Sequence, residues 1–181
     1  MSVMVSMLRG VNVGGHNKIK MTELKAMYES LGFKNVQTYI QSGNVVFETR
    51  ESGNEKLGKK IATAIEKKFG FCPEVIVRTT GEMVQVVEKN PFAKEKFDPA
   101  KLAVFFLASD PGKAARDAVA KIEADPEVLK PVGREIYIYF PDGQGKSKLK
   151  FGVVEKAINK IAWTARNWNT VQKLVEMAEG E

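Results

Sequence analysis

The sequence predicts an α+β protein built from two ferredoxin-like (βαββαβ-related) subdomains, the second ending in helices. Strand-like and helix-like patterns follow one another in the order β-α-β-β-α-β over residues 3–79, which is the split βαβ unit. A related order of elements starts again near residue 102. Hydrophobic residues make up 44% of the chain and charged residues 28%, as is typical of a globular protein.

The first half divides at clear start and stop signals. Thr22 is predicted to cap a helix, because apolar residues follow at helical spacing until Gly32, and Gly70 ends a second helical pattern. Ser42-Gly43 separates two alternating runs and predicts a hairpin. The predicted elements are a strand at 3–8, a helix at 22–31, strands at 36–41 and 44–49, a helix at 57–69 and a strand at 74–79.

The second half is predicted to lack a fourth strand. Thr80 caps a short helix, and Asn90-Pro91 opens a Lys-rich linker that ends at Pro99. There follow a strand at 102–108, a helix after Asp110-Pro111, strands at 127–132 and 134–140, and helices at 151–160 and 165–179, the last capped by Thr164. These patterns place subdomains at 1–80 and 101–181, joined by the helix and linker of 81–100.

Charge and cysteine usage restrict the setting of the protein. Lys and Arg number 28 against 22 Asp and Glu, for a net charge of +6 and a pI near 9.3, which favours an acidic partner. The single cysteine, Cys72, excludes an internal disulfide and is interpreted as a buried small hydrophobic residue. No signal segment and no apolar run of membrane-spanning length are recognised, so we expect a cytoplasmic protein with no membrane association.

The loop after the first strand, Arg9 to Lys20, combines glycines, asparagines and basic residues with no acid. Glycine lets backbone N–H groups converge on a ligand, while Arg9, Lys18 and Lys20 supply positive charge. This composition predicts an anion cradle, and a purely structural turn fits it equally well. The candidate ligand-binding residues of this loop are Arg9, Asn12, Gly14, Gly15, Asn17 and Lys18.

The hairpin turn at Ser42 supplies a second group of candidates. Gln41, Ser42 and Asn44 carry amides and a hydroxyl that suit a polar ligand. The same residues are also ordinary turn formers, and the structural interpretation is the stronger one for this turn taken alone.

The third and fourth candidates lie near the C-terminus. Lys146, Ser147 and Lys148 follow glycines between a strand and a helix, but Phe140 stands where a P-loop needs its first glycine, so a looser phosphate nest is predicted instead. Arg166 and Asn167 are predicted to occupy the first turn of the last helix, where free N–H groups favour an anion.

Several familiar chemistries are disfavoured. The first predicted strand has no aromatic residue, and Tyr137 and Tyr139 lack the flanking motif of an RNA-recognition strand, which argues against sequence-specific RNA readout. His16 is the only histidine, which excludes a multi-histidine metal site. No metal and no cofactor are predicted, and no catalytic residue is identified.

Five segments, in order, carry a family resemblance. They are Leu8-Arg-Gly-Val-Asn-Val-Gly-Gly-His-Asn-Lys18, Tyr39-Ile-Gln-Ser-Gly-Asn-Val-Val-Phe47, Asn90-Pro-Phe92, Gly145-Lys-Ser-Lys-Leu149 and Thr164-Ala-Arg-Asn-Trp-Asn-Thr170. In these segments the chain resembles the bacterial family called domain of unknown function 1697, nearly end to end. The resemblance implies two ferredoxin-related subdomains and carries no activity or site residue with it.

Three functions fit these features. The leading hypothesis is the binding of an anionic, phosphate-bearing ligand, a nucleotide or a nucleic acid, by the basic Gly/Asn-rich loops. The alternatives are an enzyme acting on a small anionic substrate and a protein-interaction module. The oligomeric state is not determined by the sequence, and the weight of the first hypothesis depends on whether the four candidate loops meet.

Overall fold

A computed structural model describes residues 1–180, and Glu181, the last residue of the second predicted subdomain, lies outside this range. Strands and helices are interspersed along the described chain, and its loops contain two 3₁₀ turns, Pro99–Lys101 and Gln144–Lys146. The elements are β1 Ser2–Leu8, α1 Met21–Ser30, β2 Lys34–Tyr39, β3 Asn44–Thr49, α2 Asn54–Phe69, β4 Val75–Thr79, α3 Thr80–Glu88, β5 Leu102–Leu107, α4 Lys113–Ala120, β6 Val128–Val132, β7 Glu135–Tyr139, α5 Phe151–Ala157, β8 Trp163–Asn167 and α6 Trp168–Glu179.

The chain forms two four-stranded antiparallel sheets of the same topology. Their strand orders are β2-β3-β1-β4 and β6-β7-β5-β8, which is the ferredoxin-like arrangement in each case. The predicted α+β class is confirmed. Two compact units contain these sheets: the first comprises residues 1–85 and 173–180, and the second residues 86–172. The subdomain limits taken from the sequence stay a prediction.

The first unit packs its helices on one face of its sheet. Leu57, Ile61 and Ile65 recur on one side of α2 and are buried against that face. Gly58 permits this close contact, because a Cβ built on it would lie 2.7 Å from the carbonyl oxygen of Val75. An aromatic trio, Tyr28, Phe33 and Phe47, fills the centre of the same core, and all three rings are buried.

The second unit has its own core and its own aromatic trio. Phe105 and Trp163 stack at a centroid separation of 4.5 Å, and Phe151 of α5 meets both rings edge-on. Phe105 and Trp163 are buried, whereas 38% of Phe151 remains exposed. This core therefore reaches the surface at one ring.

The last strand of the second unit corrects the sequence prediction. Residues 163–167 form β8 and pair with β5, with Val104 opposite Arg166 and Ala103 opposite Asn167. The predicted helix start at Thr164 is wrong: α6 begins at Trp168, and the Asn167 side-chain oxygen accepts from the Thr170 N–H at 2.9 Å. Pairing with a distant strand overrode a local capping signal, so the unit is βαββαβ followed by a helix.

Two predicted helix caps are also displaced by one or two residues. Helix α1 begins at Met21 after Lys20, which supplies no side-chain cap, so Thr22 lies inside the helix. Helix α3 is capped by Thr79, whose hydroxyl accepts from the Glu82 N–H at 3.1 Å while a Glu82 carboxylate oxygen accepts from the Thr79 N–H. This reciprocal pair is a capping box. The Thr80 hydroxyl instead donates to the Val3 carbonyl.

Candidate functional site

The loop after β1 is a small hairpin with its own hydrogen bonds. Val13 and His16 form an antiparallel bridge, and the Asn12 N–H donates to the Asn17 carbonyl at 3.1 Å. Gly14 and Gly15 occupy the turn with φ of +58° and +79°, the signs required at both centre positions of a type I′ turn. The geometry of the turn therefore explains the presence of both glycines without any ligand.

Asn12 holds this hairpin to the rest of the first unit. Its side-chain Nδ2 donates to the carbonyls of Ile19, at 3.0 Å, and Gln41, at 2.8 Å, while its Oδ1 accepts from the Ile19 N–H. Its backbone φ is +56°, which asparagine tolerates better than most residues. The Asn17 side chain similarly donates to the Gly10 carbonyl. Both amides are thus engaged with backbone groups of their own unit.

The β2–β3 turn follows the same principle. Asn44 is buried and its Nδ2 donates to the Tyr39 carbonyl and to the Ser42 hydroxyl. Gly43 has φ +83°, and a Cβ there would lie only 2.9 Å from the Leu8 Cβ, so a larger residue does not fit. Ile40 has φ +49°, an unusual conformation for a β-branched residue.

The structure brings these first two candidate loops together. Strands β1 and β2 are both antiparallel to β3, so their C-terminal ends lie at the same edge of the sheet. The Asn12–Gln41 hydrogen bond joins the loops directly. Between them and the start of α1 lies an open depression of about 810 Å³, lined by Asn12, Gly15, Lys18, Ile19, Lys20, Met21, Thr22, Glu23 and Gln41.

The charges around this depression are mostly positive. Lys18 and Lys20 are exposed, and neither takes part in an ion pair within the described residues. Helix α1 points its N-terminus here without a side-chain cap, so its first N–H groups and partial positive charge face the same space. Glu23 is the one acid in the lining and opposes an anion.

An exposed apolar pair stands beside the depression. Val13 is 62% exposed and Ile40 is 50% exposed, and their chain neighbours Asn12 and Gln41 are hydrogen-bonded to each other. Neither residue was singled out from the sequence as part of a site. Their proximity depends on a contact between segments 29 residues apart, which no local pattern reports.

The third candidate cluster lies in the second unit as an exposed strip. Lys146 ends a 3₁₀ turn that follows Gly143, and Lys148 is also exposed. The Ser147 hydroxyl accepts from the Leu149 N–H at 3.1 Å, a local turn contact. Lys150 and Phe151, which continue the strip, were not among the predicted site residues.

Arg166 is separated from that strip, contrary to the predicted helix-terminal site. It lies in β8 opposite Val104, whereas α5 packs on the other face of the sheet, with Ala103 and Phe105. The side chain is 7% exposed and donates to the Thr164 hydroxyl and the Ala165 carbonyl, both at 2.8 Å. Burial lowers the pKa of the Arg166 guanidinium to about 10, so it remains charged at pH 7.

Three further predictions from the sequence concern Tyr137, Cys72 and metal binding. Tyr137 is buried and its hydroxyl donates to the Val86 carbonyl at 2.6 Å, so this ring offers no open surface for stacking bases. Cys72 is exposed, which corrects its interpretation as a buried residue, and a hydrogen bond to Glu66 raises the pKa of its thiol. Among residues 1–180, no three His, Cys, Asp or Glu side chains group closely enough to hold a metal ion.

Fold and site together define an α+β protein of two ferredoxin-like units with a basic depression at one sheet edge of the first. A family described as "Protein of unknown function (DUF1697)" matches residues 1–137. The chain belongs to this family.

A solved structure is similar in fold across nearly the whole chain. It is described as the structure of conserved bacterial protein SP0830 from Streptococcus pneumoniae, with a TM-score of 0.73, 24% sequence identity and 98% of each chain covered. No match is found among curated proteins. Nowhere in residues 1–180 does a helix have both the length and the apolar character that crossing a membrane demands.

Proposed function

We propose that the protein binds an anionic, phosphate-bearing ligand, a nucleotide or a nucleic acid, in the depression beside α1. The observation that carries this proposal is the coincidence of two exposed lysines, Lys18 and Lys20, with an uncapped helix N-terminus. Each feature by itself is common on protein surfaces. Together they supply charge, N–H donors and a concave surface for a phosphate.

The lining suggests a division of roles. Lys18 and Lys20 contribute charge, the helix N–H groups contribute direction, and the exposed Gln41 side chain contributes an amide for a polar part of the ligand. Asn12 acts indirectly, because its hydrogen bonds fix the distance between the two loops. Arg9 is half-buried at the base of the loop and adds to the local positive potential.

A thermal-shift and calorimetry screen tests the proposal, with nucleoside mono-, di- and triphosphates and inorganic pyrophosphate as probes. A ligand present at 100 times its Kd should stabilise the protein by about 2.7 kcal/mol. The double variant Lys18→Gln, Lys20→Gln should weaken binding by about tenfold or more, whereas Glu23→Gln should strengthen it. If affinity falls in the lysine double variant and rises in Glu23→Gln, the ligand is bound in the depression that these residues line.

The matched control removes two exposed lysines at the opposite edge of the same unit's sheet, Lys34→Gln at the start of β2 and Lys56→Gln at the start of α2. It makes the same change in net charge at a distance from the depression and should leave affinity nearly unchanged. An equal loss in the control, or no stabilisation of the wild-type protein by any probe, contradicts the proposal.

The exposed pair Val13 and Ile40 favours a second candidate function, docking of a partner protein on the first unit. Two aliphatic side chains in adjacent loops, one of them in a strained backbone conformation, are unusual where only a turn is required. The double variant Val13→Ser, Ile40→Asn should abolish recovery of a specific partner in affinity purification. Val128→Ser, which alters an exposed aliphatic residue of the second unit, should preserve it.

A further inference from the structure

The second unit carries a row of lysines that ends on an exposed aromatic ring. Exposure alternates along this row: Lys146, Lys148 and Lys150 are exposed, and Ser147 and Leu149 are partly buried. Leu149 packs against the core of the unit, which fixes the chain to the surface. Backbone angles at Ser147 (φ −70°, ψ 139°) and Lys150 (φ −89°, ψ 112°) are extended.

An extended chain places alternate side chains on one side about 6.5 to 7 Å apart. Ser147 is extended, so this spacing applies to Lys146 and Lys148, and it is comparable to the spacing of successive phosphates in an extended nucleic-acid strand. Lys150 is exposed two residues further along the same segment and adds a third positive charge. None of these lysines takes part in an ion pair among residues 1–180. Over residues 142–160 there are five lysines against two acids.

The ring at the end of the row is held in a fixed orientation. Phe151 meets Phe105 at 5.3 Å and Trp163 at 5.8 Å between centroids, both edge-on, and is 38% exposed. A ring supported in this way loses little conformational freedom when another ring stacks on it. Aromatic rings beside a basic track are the usual means by which proteins bind single strands without reading sequence.

We propose that the row Lys146, Lys148, Lys150 with Phe151 binds single-stranded nucleic acid, the lysines contacting successive phosphates and Phe151 stacking on a base. A duplex fits poorly, because its bases are already stacked and present no free face to the ring. This site uses none of the residues of the depression in the first unit, so it does not depend on the function proposed for that depression.

The test measures fluorescence anisotropy of the full chain with labelled dT12, rU12 and a 12-base-pair duplex over a range of salt concentrations. Both single strands, or one of them, should bind more tightly than the duplex, and the difference between dT12 and rU12 identifies the preferred sugar. The triple variant Lys146→Gln, Lys148→Gln, Lys150→Gln should lose at least about tenfold in affinity. Its salt slope, d log K/d log[salt], should fall in magnitude by about 2, since each phosphate contact on a single strand contributes about 0.7.

Two ring variants separate stacking from charge. Phe151→Leu keeps an apolar contact with the core and should weaken binding by about tenfold with an unchanged salt slope, while Phe151→Tyr should bind like the wild type. The control Lys89→Gln, Lys94→Gln, Lys96→Gln removes three exposed lysines from elsewhere in the same unit and should change affinity by less than about threefold.

Three outcomes would overturn the inference: no binding of either single strand, equal binding of the duplex, or equal losses in the triple variant and its control. If Lys18→Gln, Lys20→Gln abolishes oligonucleotide binding while the triple variant does not, the second-unit site is rejected and the function of the first-unit depression stands. Circular dichroism and thermal melts confirm that each variant is folded.

Discussion

The two units share a scaffold and differ in where they expose chemistry. Both sheets have the same order, and both last strands carry a buried arginine at the same register position, Arg78 opposite Val5 and Arg166 opposite Val104. Each arginine donates to the carbonyl of the residue before it. Topology and this one position therefore persist although residue identity between the halves is negligible.

The difference lies in the loops and in one ring. The first unit has its basic loop after β1, where the second unit has the short segment 108–112 with acidic Asp110. The second unit has its basic strip after β7, toward the opposite end of its sheet. Its aromatic trio also opens at Phe151, whereas the trio of the first unit is closed. The same fold thus presents different surfaces, and function has to be sought in the loops.

The largest expected effect is in the closed aromatic trio. Phe47→Ala removes a fully buried ring that contacts Tyr28 and Phe33, so the free energy of unfolding should fall by about 3–5 kcal/mol. Urea denaturation followed by circular dichroism measures the change. A loss no greater than that of Phe151→Ala would show that the two trios do not differ in packing.

The second-largest loss of stability is expected on replacing Asn12, which holds the hairpin after β1 in place. Asn12→Ala removes three hydrogen bonds and places alanine at φ +56°, which should lower the free energy of unfolding by about 2–3 kcal/mol. Asn17→Ala also places alanine at positive φ (+51°) but removes one side-chain hydrogen bond instead of three, so it should cost less, about 1–2 kcal/mol. Equal losses in the two variants would contradict the role of Asn12 as the link between the loops.

Truncating a ring in the open aromatic trio of the second unit should lower the free energy of unfolding by less. Phe151→Ala removes a ring that is 38% exposed, so the expected decrease in the free energy of unfolding is about 1–2 kcal/mol. The same denaturation experiment measures it. A decrease as large as that of Phe47→Ala would mean that Phe151 serves the core rather than the surface.

The smallest expected effect on stability is that of replacing Asp110. This acid lies in the loop after β5, and the corresponding loop after β1 has no acidic residue. The Gly112 N–H and then Arg116 hold the pKa of the Asp110 carboxyl below its ordinary value. A lowered pKa contributes stability above the ordinary carboxyl pKa, near 3.9, and this contribution disappears as pH falls through the folded-state value. Melting temperatures of wild type and Asp110→Asn should differ slightly at pH 7, and this difference should shrink as pH falls below the ordinary carboxyl pKa and through the lowered folded-state value. A difference that is the same at pH 7 and at pH 2 would contradict this.

Much of the fold was predictable because its signals are local. Alternation over 44–49 and helical spacing from Leu57 to Ile65 are set by neighbours in the chain, and the structure has these elements where the patterns predict them. Arg166 shows the limit: Thr164 and the residues after it resemble a helix start, and only the ladder with β5 makes them a strand. The depression was predicted in part, since Lys18 and Gln41 were identified as site residues and Met21 and Glu23 were not.

The sequence by itself determined the α+β class, the element order of the first unit, the basic surplus and the family. The tertiary structure decided how the polar residues are used. Asn12 and Asn44 lie in polar, glycine-containing loops of the kind that bind ligands, yet their side-chain amides donate to backbone carbonyls. The reason is that a loop that leaves the sheet has peptide groups that need hydrogen-bond partners. Side-chain identity is local, whereas a hydrogen-bond partner 29 residues away exists only after the chain has folded.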